Sequence, residues 1–388
     1  MKPLSSWGVR SLEKAEALFR DQKYTEGRSH LVKALKDPYN LDACILLAMN
    51  CGTESQALLI LEQTERKGRR LLRQHLGEDC FHDDSPYVGH FWSELSTRPY
   101  MRVLDALVRL YLKQKQYPKC IDSMIEMLRL CPGDNFINRA WLGPNLIRIG
   151  RYSDALFFAQ SRLRENGKTP INGGITFSIP RSGLLSSEKE NNILNYSKYF
   201  PGGISLMYTA ALASFKLWGD CPSAQQYLKM SVTLSPHVMM RVLGGISRPA
   251  HPHKLARVPN STEDAHDYLW LSQDLWEEYE VLGWIKKLLD NEPLLLKRCS
   301  NPSCPVIEAE ITEFKRCSSC HLVHYCSESC QSGHWRIHKP DCKMDKKVNQ
   351  SLRKFQKGEQ LPKGSKIPFF TADFSRGNAI LAELPKKK

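Results

Sequence analysis

The chain has 388 residues, enough for two or three domains of roughly 150 residues each. Hydrophobic residues make up 41% and charged residues 25%, which is ordinary for a folded globular protein. No stretch approaches the ~20 consecutive apolar residues of a membrane span, and the first twenty residues lack the apolar core of a secretory signal. We therefore predict an intracellular protein, cytoplasmic or nuclear, with no membrane association.

The net charge of +14 is unevenly distributed along the chain. Residues 343–388 carry 12 Lys and Arg against 4 Asp and Glu, which accounts for more than half of the excess. A basic segment of this kind is typical of a flexible tail or of loose electrostatic contact. We predict a flexible basic tail over 344–388, and weak, salt-sensitive binding of nucleic acid is an alternative function.

Apolar residues before Lys297 follow the helical spacing i, i+3, i+4, i+7. Two helices predicted over 100–111 and 121–128 are joined by a turn at 115–118, and Pro132 ends the second. Helices joined by such a turn form an antiparallel pair. Similar pairs are predicted within three further ranges, namely 11–35, 141–159 and 206–234.

The helix pairs recur at a repeat-like distance. Tyr117 and Tyr152 lie in the predicted turns of neighbouring pairs, 35 residues apart, which is close to the tetratricopeptide period of about 34. The predicted fold class is all-α, a tetratricopeptide-like helical repeat array over 1–290, with an irregular helical bundle as the competitor. Insertions at 77–99 and 165–203 interrupt the period, and the second is predicted to be a long, partly mobile loop.

The residue identities in one helical stretch are more specific than its apolar periodicity. The run GHFWSELSTRPYMRVLDALVRLY, residues 89–111, is followed by EMLRLCPGDN at 126–135. These runs resemble tetratricopeptide proteins of the suppressor-of-tumorigenicity-seven family. The resemblance covers about residues 8–290 and implies a helical scaffold without an established catalytic centre.

Seven of the 13 cysteines lie within 44 residues. Together with one histidine, these seven cysteines form four closely spaced pairs. Clustering of this kind in an intracellular chain indicates metal rather than disulfides. Eight ligands satisfy two tetrahedral Zn²⁺ ions. The four pairs can share the ions in sequential order or in an interleaved order. Both arrangements give one Cys₄ and one Cys₃His site, so the spacing leaves the pairing open. The predicted ligands are Cys299, Cys304, Cys317, Cys320, Cys326, Cys330, His338 and Cys342.

The residues between these ligands resemble the MYND zinc finger. The resemblance includes Tyr325 before the fifth ligand, Gln331 after the sixth, Trp335 and the His-x₃-Cys ending. It predicts a finger over 297–343 and implies interleaved pairing. One Zn²⁺ takes Cys299, Cys304, Cys326 and Cys330, and the other takes Cys317, Cys320, His338 and Cys342.

Three other histidines compete with His338 as the ligand, and they are His321, His324 and His334. The His-x₃-Cys spacing favours His338. With four protein ligands each, both sites are closed, which is the pattern of structural rather than catalytic zinc. A helix over 331–338, ahead of Pro340, is expected to present the last ligands.

Three classes of function follow from these features. The preferred hypothesis is a non-enzymatic adaptor or scaffold that binds short peptide motifs of partner proteins through its repeats and its finger. By resemblance, Gln331 and Trp335 lie at the peptide-recognition surface, although Trp335 could equally pack the small core. A SET–MYND lysine methyltransferase is disfavoured because the Asn-His-Ser-Cys signature of that class is missing. A nucleic-acid-binding regulator is the third class.

Overall fold

The computed structural model describes residues 5–163, 177–198, 200, 202–253, 258–291, 294–310, 313–320, 323–356 and 359. Within these ranges the chain forms fifteen α-helices, one 3-10 turn and a single two-stranded hairpin. The predicted all-α class with a small C-terminal zinc finger is confirmed. None of the described helices combines the length and the apolar composition that crossing a bilayer would require.

The described chain divides into two compact units, with the boundary between Ile179 and Pro180. The helices of the first unit are α1 (Ser6–Arg20), α2 (Tyr24–Leu35), α3 (Leu41–Met49), α4 (Glu54–Leu76), α5 (Arg98–Lys113), α6 (Tyr117–Leu130), α7 (Arg139–Arg148) and α8 (Tyr152–Arg162). The 3-10 turn Leu95–Thr97 leads into α5.

The second unit contains the remaining helices and the hairpin. Its elements are α9 (Ser187–Ser197), α10 (Gly203–Trp218), α11 (Pro222–Leu234), α12 (His237–Leu243), α13 (Thr262–Trp276), α14 (Tyr279–Asn291), β1 (Lys315–Arg316), β2 (His324–Tyr325) and α15 (Glu328–Gln356). The helices α9–α14 thus belong to the same compact unit as the zinc finger. Separate folding of a helical domain over 1–290 stays a prediction.

Three helix pairs of the first unit are closed by the same turn. After α1, Gln22 adopts a left-handed backbone with φ 62°, and its N–H donates to the Phe19 carbonyl at 3.1 Å. The N–H of Lys23 then donates to the Leu18 carbonyl at 2.8 Å. This is the Schellman pattern, which satisfies the last carbonyl groups of a helix. Lys115 after α5 and Gly150 after α7 repeat the same pair of hydrogen bonds.

Each of these turns is followed by a helix that begins with tyrosine, two residues after the left-handed position. These tyrosines are Tyr24, Tyr117 and Tyr152. The 35-residue spacing noted in the sequence is therefore the spacing of equivalent positions in two successive helix pairs, α5–α6 and α7–α8.

The sequence misplaced several boundaries. The segment predicted as a loop over 165–203 contains the helix α9, while residues 164–176 lie outside the described part. The Ser186 side chain begins α9 by accepting a hydrogen bond from the Lys189 N–H. The predicted tail begins inside α15, which continues to Gln356, and most of its remainder also lies outside the described residues.

Candidate metal centre

Two short extended segments position the first four cysteines. Arg298 and Ile307 form an isolated antiparallel bridge on either side of the Cys299–Cys304 turn. The hairpin β1–β2 pairs Lys315 with Tyr325 and Arg316 with His324, and its turn contains Cys317 and Cys320. Close ligand pairs on tight turns are the usual way in which a small domain presents sulfur to zinc.

A buried carboxylate ties these two segments together. Glu308 is 2% exposed, and its carboxylate accepts hydrogen bonds from the N–H of Lys297 at 2.8 Å and of Phe314 at 3.0 Å. The first contact lies two residues before Cys299 and the second three before Cys317. Sequence reasoning missed Glu308, because nothing in the pattern distinguishes it from an exposed loop glutamate.

The helix α15 supplies ligands to both sites. It carries Cys330 in its first turn and both His338 and Cys342 farther along, at spacings that keep them on one face. The predicted end ahead of Pro340 is wrong, since the helix passes through this proline. Proline removes one backbone donor and usually bends a helix, but the surrounding turns continue on both sides.

The structure brings the eight predicted ligands together in two groups. Within each group the ligand atoms all lie within 4.8 Å of one another. The pairing is interleaved: the first group combines the first and third pairs, and the second group the second and fourth. The groups are Cys299, Cys304, Cys326 and Cys330, and Cys317, Cys320, His338 and Cys342.

The distances between donor atoms agree with tetrahedral zinc. At ~2.3 Å from Zn²⁺, two thiolate sulfurs of a regular tetrahedron are about 3.8 Å apart, and a sulfur and an imidazole nitrogen about 3.6 Å. The Sγ atoms of Cys304 and Cys326 are 3.7 Å apart and those of Cys317 and Cys342 3.8 Å. Cys320 Sγ lies 3.6 Å from His338 Nε2. The two clusters fit two structural zinc ions.

The environment of Cys317, in the second group, favours the thiolate form of this residue. Burial alone would raise the pKa of the Cys317 thiol, but hydrogen bonds from the Cys320 backbone, the His338 ring and the Ser319 backbone lower this pKa to about 6. Backbone N–H groups directed at sulfur are the expected feature of a Cys-x₂-Cys turn. Because zinc binds the deprotonated form of cysteine, this environment prepares the sulfur for the metal.

The competing histidines have other positions. His334 donates to or accepts from the Tyr325 hydroxyl through Nδ1, at 3.0 Å, and belongs to neither group. His324 lies on β2, and His321 falls outside the described residues. By contrast, His338 is 4% exposed and its Nε2 faces Cys320. The geometry thus favours His338 over its described rivals.

The two residues predicted to bind partners lie on α15. Trp335 keeps 39% of its surface exposed, while its ring packs edge-on against His338 with 5.9 Å between centroids. Gln331 is half-buried in the first turn of the helix. Trp335 therefore packs against the predicted zinc ligand His338 and leaves part of its indole exposed to solvent.

Other conspicuous residues remain outside the clusters. The acidic run Glu78–Asp84 forms a series of turns, and Asp83 pairs with Arg129 at 2.7 Å. His251 and His253 lie in a non-helical segment. All the cysteines are free of disulfides, and of the six scattered ones Cys80, Cys120 and Cys131 are buried.

Comparison with known proteins agrees with this geometry. Residues 293–342 match the MYND finger family. The chain therefore carries a MYND finger, a module that generally mediates protein–protein interactions. An F-box protein of Arabidopsis thaliana is 46% identical over 48 residues, 12% of this chain and 13% of that protein. The tetratricopeptide resemblance of the helical region has no such counterpart among these matches.

Proteins with a SET domain also match, over the finger region. The histone-lysine N-methyltransferase ASHR1 of Arabidopsis thaliana is 42% identical over 41 residues, 11% of this chain and 8% of its own length. A SET and MYND domain-containing protein of Dictyostelium discoideum is 60% identical over 30 residues, 8% of this chain and 6% of that protein. The matches thus cover only a small part of each relative, and no catalytic SET domain is evident in the matched region.

Proposed function

We propose that this chain is a protein–protein interaction adaptor that binds short peptide segments of partner proteins through its MYND finger. The observation that carries the proposal is the exposed Trp335 on a domain whose metal sites are closed. Four protein ligands at each Zn²⁺ leave no position for water or substrate, so the metal serves to hold the surface in shape. Gln331, one turn earlier on α15, is the proposed polar contact.

The finger exposes further large apolar side chains besides Trp335. Val306 is 46% exposed, Ile307 39% and Ile337 67%. Where such side chains adjoin on a folded module, they commonly form a binding surface. A proline-containing peptide suits this surface because it is already extended and loses little entropy on binding.

The helical region is proposed as a tetratricopeptide-like scaffold. The repeated turn after α1, α5 and α7 and the tyrosine that follows it support a repeat architecture. Stacked helix pairs form extended surfaces suited to holding a second partner. This part of the proposal, with the family resemblance of residues 8–290, depends on the sequence and on helix geometry alone.

The test is binding of an array of proline-containing peptides by the zinc-loaded full chain. Trp335→Ala and Gln331→Ala should lose captured peptides while retaining two Zn²⁺ per chain, and the exposed neighbour Arg336→Ala should behave like the unaltered protein. Unchanged peptide capture by Trp335→Ala would contradict the proposal. So would stoichiometric binding of S-adenosylmethionine in calorimetry, which would favour the methyltransferase alternative.

A further inference from the structure

The helix α15 carries a row of positive charges along one side. At 3.6 residues per turn, six of its basic residues fall within an arc of about 100° around the helix axis, and all six side chains are exposed. This cationic row consists of Arg336, Lys339, Lys343, Lys346, Lys347 and Lys354. Exposed Gln350 takes the remaining position within the arc, so that the row contains no acidic and no apolar residue.

The other side of the same helix holds the metal ligands and the acids. His338 and Cys342 are 4% and 2% exposed and fall outside the arc of the cationic row. Asp341 and Asp345, the two acids between residues 336 and 354, lie on the ligand side as well. Among the described residues, none of the six cations has an ion-pair partner within 4.0 Å. The charge of the row is therefore available to a partner.

The cationic row is long enough to follow an extended polyanion. Arg336 and Lys354 are 18 residues apart, which is about 27 Å along the axis at 1.5 Å per residue. A DNA duplex carries one negative charge per roughly 1.7 Å of its axis, counting both strands. Over the length of the row, about eight base pairs of such a duplex present more phosphates than the row has cations.

The composition of the row favours a DNA backbone over other anionic partners. Lysine is depleted in protein–protein interfaces, whose centres contain apolar anchors, and the row has no such anchor. A helix lying on a membrane inserts an apolar side beneath its basic side, whereas here the opposite side holds zinc ligands. The major groove of B-form DNA is about 12 Å wide and admits an α-helix, while that of duplex RNA is deep and narrow.

We propose that the cationic row binds double-stranded DNA through its phosphates, with α15 lying along the major groove. The lysine and arginine side chains donate charge-assisted hydrogen bonds to phosphate oxygens, and such contacts hold DNA without reading its base sequence. The zinc clusters fix the first half of the helix, and the later turns extend the row. This inference goes beyond the peptide-binding function proposed above and does not depend on it.

The test measures binding of the zinc-loaded full chain to a fluorescein-labelled DNA duplex of about 20 base pairs, by fluorescence anisotropy between about 50 and 200 mM salt. The logarithm of the association constant falls with the logarithm of salt concentration by about 0.9 for each neutralised phosphate. Lys346→Gln/Lys347→Gln should therefore reduce the size of this slope by about 1.8 and weaken binding roughly sixtyfold at 0.1 M salt. Glutamine preserves the helix, because its helix propensity is close to that of lysine.

Two control variants separate the cationic row from the net charge of the chain. Lys33→Gln/Lys36→Gln removes the same charge from exposed positions at the end of α2 and should bind within about twofold of the unaltered chain, because distant charges are screened. Lys346→Arg/Lys347→Arg keeps the charge in the row and should retain binding. Zinc analysis verifies that every variant keeps two Zn²⁺ ions.

The proposal would be overturned by the absence of saturable DNA binding, by an unchanged salt dependence in Lys346→Gln/Lys347→Gln, or by equal weakening in the α2 control. Tighter binding of an RNA duplex than of the DNA duplex would also overturn it. So would binding of phosphatidylserine vesicles or of polyglutamate without binding of DNA, which would assign the row to a membrane or to an acidic protein. Because no partner peptide is used, each of these results would leave the function proposed for the finger intact.

Discussion

Tyr325 and His334 are joined by a hydrogen bond between the phenol oxygen and Nδ1, at 3.0 Å. Tyr325 is 2% exposed and lies among the ligand cysteines, so His334 helps to fix the centre of the finger. The His334 ring also stacks on His338, with 6.0 Å between centroids and 20° between planes. Two histidines four residues apart on α15 thus have different roles, one as a support and the other as a candidate ligand.

This difference predicts distinct zinc contents for two variants. His338→Ala should lose or weaken one Zn²⁺, because the second cluster would keep only three sulfur ligands. His334→Ala should retain both ions, with a less stable finger. Elemental analysis after gel filtration measures the content directly. An unchanged zinc content in His338→Ala, or the loss of one ion in His334→Ala, would refute the ligand assignment.

The finger should depend on metal for its fold. We expect two Zn²⁺ per chain, and Cys326→Ser should lose the ion of the first cluster. Structural zinc contributes on the order of 10–16 kcal/mol at neutral pH, which a core as small as this one cannot replace. Cys221→Ser, in the second unit but outside both clusters, is the matched control and should keep two ions. A content of one zinc in the unaltered protein would contradict the two-site arrangement.

Glu308 should matter to both clusters although it is not a ligand. Glu308→Ala removes the acceptor for the N–H groups of Lys297 and Phe314. The buried Phe314 donor without a partner costs roughly 1–3 kcal/mol, and the partly buried Lys297 donor costs less. We expect faster loss of zinc to a competing chelator, measured with a metal-sensitive dye. Glu310→Ala, an exposed acid two residues away, should release zinc at the original rate.

The repeated turn of the first unit predicts opposite effects of two glycine substitutions. Lys115 and Gly150 occupy equivalent left-handed positions, with φ of 56° and 77°. Lys115→Gly should stabilise the protein by about 1 kcal/mol, since it relieves the steric cost of a Cβ in this conformation. Gly150→Ala should destabilise it by a similar amount. Thermal unfolding followed by circular dichroism measures both changes, and effects of equal sign would contradict the equivalence of the turns.

A buried ion pair in α5 should be sensitive to the loss of its acid. Arg109 is 1% exposed, donates to Asp105 at 2.8 Å and lies over the Trp141 ring of α7, 4.9 Å from its centroid. Asp105→Ala leaves the buried guanidinium without its carboxylate and should cost roughly 3–5 kcal/mol. Asp122→Ala, on the exposed face of α6, should change stability by less than about 0.5 kcal/mol. Urea denaturation compares the two variants.

Features with local causes were predictable from the sequence. The spacing of apolar residues predicted the helix pairs, since each helix must bury one face, and the Cys/His spacing predicted two zinc sites, since a tetrahedral ion needs close pairs of ligands. The predicted pairs did not include α3, α4 or α12–α14, α15 continues through Pro340, and α9 lies where a loop was predicted. In the last two places, local breaker residues were poor guides to where the helices begin and end.

The tertiary structure decided which pairs share a metal. Both pairings give the same ligand chemistry, so the sequence could favour interleaving only by resemblance. The fold places Cys304 Sγ 3.7 Å from Cys326 Sγ, and Cys320 Sγ 3.6 Å from His338 Nε2. The Glu308 contacts could not be predicted from the sequence either, because they join residues whose proximity depends on the path of the chain. Spacing along a sequence constrains neighbours on one turn or one helix, and only packing brings separate segments together.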